Sequence, residues 1–391
     1  MSHLQHGICH GLIVLLCLFA LSAPSPAPAQ DSRQGSVDKT DGDSPSLTEI
    51  KECLKGARSA ACLDDLFHEF LKSHTTGEAL KLIQRFEAED PELRRGCHPV
   101  VHAIGRETFR LKENIHDSFA ACDQTCHSGC YHGSVERFLR GDDVYSQTDK
   151  HPSQAELKQK AAAACDPNTP MRLRFQCLHG LGHALMFFSR YELDQSLSAC
   201  DALPDDWSRN SCYGGVFMEN VSNATNEKKN FSPTDYHVPC NRVDQQYRRE
   251  CYMMQSSRMS EMGLPLQRLF EECANAGEYG IPCAQSIGRD LSNEARAGHS
   301  RSVAEKCKLA HGDSRRACVR GVVYALADNT WDGRYAMPFC VAFSQETDQA
   351  DCLKESVDYL RTVFGKSNDD VTRDCRRYTA SSQRCLELAT R

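Results

Sequence analysis

Three stretches of the chain set histidines beside cysteines: GCHPVVHAIGRETF from Gly96, CDQTCHSGCYHGSVERF from Cys122 and RFQCLHGLGHALMFF from Arg174. His98 and His102 stand four residues apart, as do His132 and Glu136, and His179 and His183. Side chains four apart share one face of a helix and can grip a single ion. Imidazole suits Zn, Cu, Fe and Ni, and a carboxylate can complete a set of three or four ligands. Asp64 and His68 repeat the spacing earlier in the chain. The candidate metal ligands are therefore His98, His102, His132, Glu136, His179, His183, Asp64 and His68, and the expected cofactor is a transition metal, Zn, Cu or Fe. The competing explanation is plain packing, with each ring satisfied by a backbone carbonyl.

Other chemistry finds less support. CDQTCH has one residue too many between its cysteines for a c-type haem attachment. Cys126 beside His127 could form a nucleophile pair, but an oxidising compartment favours a bridged cysteine. No nucleophile elbow, phosphate loop or HExxH is present. His116, His127 and His151 lie off the helical pattern or in loops and are read as bystanders.

The elements that must carry these residues repeat. Cysteines pair off along the chain: Cys53 with Cys62, Cys122 with Cys130, Cys165 with Cys177, Cys200 with Cys212 and Cys240 with Cys251. The series continues with Cys273 and Cys283, Cys307 and Cys318, Cys340 and Cys352, and Cys375 and Cys385. Such a period indicates a helical repeat array. Each unit reads as two helices, its first cysteine in the last turn of one and its second near the start of the next, as in SRRACVRGVVYALAD. A disulfide between them staples the hairpin and contributes at most about 3 kcal/mol. A further unit centred on Cys97 lacks the first cysteine. Cys97 and Cys126 either bridge neighbouring units or remain free thiols.

Counting from the second cysteine, residues two and six further on lie about 200° and about 240° round the helix, on the side away from the partner. This ridge carries Asp64/His68, His132/Glu136 and His179/His183, then Gly214/Met218, Gln285/Arg289 and Arg320/Tyr324. In the Cys97 unit it is shifted to His98 and His102. Matching HAIGR to HGLGH aligns His102 with His179 and Arg106 with His183. Gly133, Gly180 and Gly182 each cost roughly 1 kcal/mol in a helix, which is understandable if neighbouring helices must approach closely.

Residues 1–29 read as a signal peptide, with the apolar run LIVLLCLFAL and Ala27-Pro28-Ala29 before the cleavage point. Residues 30–46 read as a disordered linker, and 47–391 as the repeat region, histidine-rich over about 47–190. Beyond the leader the cysteines are even in number and, in an exported chain, imply a disulfide framework. A net charge of -7 without a basic run argues against nucleic acid and anionic membranes as partners. Sequons at Asn220, Asn223 and Asn230 matter only in a eukaryotic source.

Period and staple placement resemble the tetratricopeptide and Sel1-like solenoids, particularly their cysteine-rich secreted members. The resemblance implies an all-α fold, an α/α superhelical solenoid of about ten disulfide-stapled hairpins. It implies a concave face used for proteins or peptides, and no catalytic residues. The expected function is a secreted or periplasmic repeat protein that binds a transition metal in its N-terminal groove and serves as a protein- or peptide-binding scaffold. The alternatives are a metal-dependent hydrolase or oxidoreductase using the same cluster, and a metal-free interaction solenoid.

Overall fold

The computed structural model describes residues 44–56, 58–141, 153–222 and 230–390. The signal-peptide reading, most of the linker, residues 142–152 and the sequon at Asn223 lie outside them. The described residues are helical, without a strand.

Helices follow in pairs: α1 (Leu47–Lys55) and α2 (Ser59–Leu71), α3 (Thr76–Glu89) and α4 (Pro91–Lys112), α5 (Ile115–Ala121) and α6 (Thr125–Arg140), α7 (Gln154–Ala164) and α8 (Met171–Phe188), α9 (Leu193–Cys200) and α10 (Asp206–Ser222). Then α11 (Gln245–Glu261) stands alone, followed by α12 (Leu266–Asn275) and α13 (Gly280–Glu294), α14 (Ser300–Cys307) and α15 (Gly312–Asp328), α16 (Ala336–Val341) and α17 (Glu346–Thr362), α18 (Asn368–Tyr378) and α19 (Gln383–Ala389). The sixth unit thus departs from the two-helix expectation: residues 230–244 before α11 are turns and bends. Starts are set locally. Ser46, Thr75, Ser153 and Ser367 form capping boxes with the acidic residue three further on, and Asp90 caps α4 ahead of Pro91.

All nine local cysteine pairs are bonded. In the first half these are Cys53–Cys62, Cys122–Cys130, Cys165–Cys177 and Cys200–Cys212. In the second half they are Cys240–Cys251, Cys273–Cys283, Cys307–Cys318, Cys340–Cys352 and Cys375–Cys385. The tenth disulfide, Cys97–Cys126, joins α4 to α6, so neither of these cysteines is a free thiol. In the sixth unit Cys240 sits in the turns before α11, so its staple ties a loop, not a helix, to Cys251.

The helix that carries or follows the second cysteine of each unit packs on that of the next, from α2 through α4, α6, α8, α10, α11, α13, α15 and α17 to α19, with the first helices alongside. Phe67, Ile104, Leu181, Phe217, Ile287 and Val322 fill the space between, all essentially inaccessible.

Two features bear on the site. The first is the closeness of three crossings. A Cβ on Gly133 would stand 1.9 Å from the His102 carbonyl oxygen, and one on Gly105 would stand 2.0 Å from that of Cys130, so α4 and α6 cross in near backbone contact. Gly182 and Gly215 do the same for α8 and α10, and Gly288 and Gly321 for α13 and α15. The second is a fold-back. Arg296, in a π-helical turn at Ala295–His299, pairs with Glu87 at 3.1 Å and donates to the Arg94 carbonyl at 3.1 Å. Trp331 stacks near Tyr131, with the Arg172 guanidinium over its ring. The later units therefore touch the histidine-bearing ones.

Candidate metal centre

Four imidazoles from three helices converge. His98 and His102 come from α4, His132 from α6 and His183 from α8, and the six distances between their ring centres run from 4.4 to 5.9 Å. Donor nitrogens of His98, His102 and His132 all lie within 4.8 Å of one another. Helix axes normally lie about 8–10 Å apart, too far for this unless the backbones close up. Gly133 lets α6 press on α4 at His102, and Gly180 of α8 lies against the His132 backbone, 2.8 Å from Cα to a Cβ there.

Each ring has one nitrogen committed to a partner pointing away from the others. His98 Nδ1 lies 2.7 Å from the Cys126 carbonyl oxygen, and His102 Nδ1 lies 2.6 Å from Glu136 Oε1. His132 Nε2 lies 3.1 Å from Gln176 Oε1, and His183 Nδ1 lies 2.8 Å from Glu219 Oε2. A neutral imidazole has one N–H, so donating it outward leaves the lone pair on the inward nitrogen. The inward nitrogens are Nε2 of His98, His102 and His183 and Nδ1 of His132. Nε2 of His98 and His102 are 2.9 Å apart, while His132 Nδ1 and His183 Nε2 are buried without any partner. A proton could bridge the first pair. It leaves the other two nitrogens unpaired, each at a cost of about 1–3 kcal/mol.

For His98, His132 and His183 the electrostatics favour the neutral, ligating form. Burial first, then neighbouring rings, holds His98 and His132 well below the ordinary histidine range, and burial with His102 pushes His183 down to about 3. Burial works to raise Glu136, yet His102 and Arg106 outweigh it and keep that carboxyl ionised well below its usual range. Burial, then the Glu136 charge, pushes Glu219 up to about 7.

The anchor of His98 is itself unusual. Cys126, His127 and Ser128 have φ of 49°, 58° and 63°, three consecutive left-handed residues at the start of α6. That region costs L-residues roughly 1–2 kcal/mol each. The turn aims the Cys126 carbonyl at His98 and is tied to α4 by the Cys97 disulfide. His127, read from sequence as a bystander, sits within this turn with its ring centre 6.4 Å from that of His98. Cys97, Cys126 and Glu87 also cluster, but both sulfurs are in one disulfide and Glu87 holds Arg296, so they offer no ligand set.

The remaining expected ligands are placed elsewhere. Asp64 accepts from Arg106 Nε at 2.8 Å, and Arg106 Nη1 reaches Glu136 at 2.7 Å. Asp64, Arg106, Glu136 and His102 thus form one buried chain, with Glu136 behind His102 rather than among the inward nitrogens. His68 bonds Glu107 at 3.0 Å and faces Arg110. His179 stands beside the four, its ring centre 5.1 Å from that of His183, but its Nε2 faces Met218 Sδ at 3.4 Å. The ridge expected to line an open groove is interior over the histidine cluster: His102, His132, Glu136, His179 and His183 are all buried, while His98 and the more distant His68 are half-buried. Gln176 and Glu219 escaped sequence reading. Glu219 lies one residue past the ridge position held by Met218, and Gln176 directly precedes Cys177.

No protein-family model, no curated protein and no solved structure matches the chain. What stands of the repeat resemblance is a helical chain with a cysteine pair bonded in nearly every unit.

Proposed function

We propose that this protein binds a transition-metal ion through His98 Nε2, His102 Nε2, His132 Nδ1 and His183 Nε2. The observation that carries the reading is the pair of buried, partnerless nitrogens on His132 and His183, facing the close His98–His102 pair. A cation gives all four lone pairs a partner at once. In a tetrahedral shell with metal–nitrogen bonds of about 2.0–2.1 Å, neighbouring donors lie about 3.3 Å apart; His98, His102 and His132 already bring donors within 4.8 Å of one another, and His183 must draw in to complete the shell. Glu136, Glu219, Gln176 and the Cys126 carbonyl fix tautomer and ring orientation, as groups behind metal-bound histidines do.

The wider reading keeps the metal within a superhelical α/α solenoid whose other repeats serve as a protein- or peptide-binding scaffold. The succession of packed long helices supports it. Ten disulfides favour an oxidising, secreted or periplasmic location. No described helix is long and apolar enough to cross a membrane.

The test is elemental analysis of protein purified without chelator, followed by Zn(II) titration of the stripped protein. About one ion per chain is expected, lost in His183→Gln and His132→Gln variants whose circular dichroism and melting remain those of folded protein. A stripped wild-type protein that takes up neither Zn(II), Cu nor Co(II) ends the proposal.

A further inference from the structure

The ridge does not stop at the four histidines. Two crossings later, His179 of α8 and Met218 of α10 occupy the places that His102 and Glu136 hold between α4 and α6. The correspondence is fixed by the backbone: His102 and His179 each precede a contact glycine by three residues, and Glu136 and Met218 each follow one by three. In the first crossing an imidazole meets a carboxylate. In the second it meets a thioether.

The environment of His179 leaves a lone pair on that thioether. The ring is buried, and in its neutral form an imidazole carries one N–H. Its Nδ1 edge lies against α10 at Gly214, and the Ser211 carbonyl takes a hydrogen bond from the ring. A carbonyl is a far better acceptor than a thioether. The proton therefore belongs on Nδ1, and Nε2 and Met218 Sδ face each other at 3.4 Å as two electron-pair donors. Met218 is partly exposed, so the pair is reachable from solvent.

We propose that His179 Nε2 and Met218 Sδ form a second cation site, adjoining the four-histidine centre, that takes a cuprous ion. A nitrogen and a thioether sulfur form a soft donor pair, the kind that selects Cu(I) over Zn(II). A separation of 3.4 Å suits a bent N–Cu–S arrangement open to a further ligand. The cysteines cannot compete for the ion, since every one among the described residues is in a disulfide.

The experiment titrates stripped full-length protein anaerobically with Cu(I), supplied as its acetonitrile complex without thiol, against a chromophoric chelator. Zn(II) is titrated in parallel. Wild type is expected to take up about two equivalents of Cu(I) and about one of Zn(II). Met218→Leu, a change of similar volume at a partly exposed position, loses one Cu(I) and leaves Zn(II) uptake unchanged. Copper K-edge absorption of the loaded wild type shows a sulfur neighbour that Met218→Leu lacks. Equal Cu(I) uptake by both proteins, or no sulfur neighbour in wild type, overturns the proposal and leaves an N–H···S hydrogen bond. This site rests on its own two donors: abolished Zn(II) uptake with a retained, methionine-dependent Cu(I) would remove the four-histidine reading and leave this one standing.

Discussion

The α4/α6 and α13/α15 crossings share one backbone design and differ in what they carry. In both, a glycine on each helix meets a carbonyl of the other: Gly105 and Gly133 in the first, Gly288 and Gly321 in the second. The carbonyls come from corresponding residues, the second cysteine of the later unit (Cys130 or Cys318) and the residue three before the first glycine. At that last position stands His102 in one crossing and Gln285 in the other. Around His102 the neighbours are His98, His132 and the Glu136–Arg106–Asp64 chain. Around the later crossing the corresponding positions hold Ile281, Arg320 and Tyr324, and Arg320 pairs with Glu355 at 2.9 Å. Close crossing thus recurs at three places along the chain, whereas the converging imidazoles are confined to a few ridge positions in the early units.

The comparison breaks first at the glycines. Gly133→Ala and Gly288→Ala each drive a methyl group into a backbone carbonyl that cannot rotate away. Each should destabilise by about 3 kcal/mol or more, at or beyond the upper end of overpacking costs, read as a large drop in melting temperature. Only Gly133→Ala should also abolish metal retention at temperatures where the variant is still folded.

Removing the support behind His102 is the next largest effect. Glu136→Gln keeps the shape but weakens the acceptor for His102 and half of the Arg106 pairing. Metal affinity measured by chelator competition should fall about 10–100-fold, with the ion still bound at saturating concentration.

A transplant sharpens the contrast. Gln285→His with Tyr324→Glu copies the His102–Glu136 pair into the later crossing. Because Ile281 and Arg320 replace the counterparts of His98 and His132, tight metal stoichiometry should stay at the wild-type value. A second tightly held Zn(II) would show that one pair on a close crossing suffices.

The smallest effect concerns protons. Asp328, at the end of α15, accepts from Tyr359 Oη at 2.8 Å, and burial pushes it up from 3.8 to about 7. A carboxyl raised on folding favours the protonated protein. Its contribution is present in full below the unfolded value and is lost as pH rises through about 7. The melting temperature should therefore decline between pH 5 and pH 8 through this group, and Asp328→Asn should flatten that decline. An unchanged slope in the variant would assign the pH dependence elsewhere.

Much of this was legible in the chain. The four-residue spacing of His98/His102 and His179/His183, and the match of HAIGR to HGLGH, located the reactive faces because helical periodicity is a local property. The match is what Gly105 and Gly182 reproduce in space. Illegible were the groups joined across helices: Gln176 behind His132, Glu219 behind His183, and the Asp64–Arg106–Glu136 chain that draws Asp64 away from the ions it was expected to hold. These partners are separated by 30 to 44 residues, and a rotation of one helix by a single residue exchanges them. Among the sequons, Asn220 is buried and bonded by Asn230 Nδ2 at 2.7 Å, which its motif could not reveal.

By itself the amino-acid sequence determined the helical units, their cysteine staples and the glycines that permit close crossing, since these follow from periodicity, redox chemistry and the absence of a Cβ. The tertiary structure decided which nitrogens meet. Only the stacked helices, the left-handed turn at Cys126–Ser128 and the burial they create bring four rings together and leave the inward nitrogens of His132 and His183 without a partner, and that is a matter of relative placement no local pattern encodes.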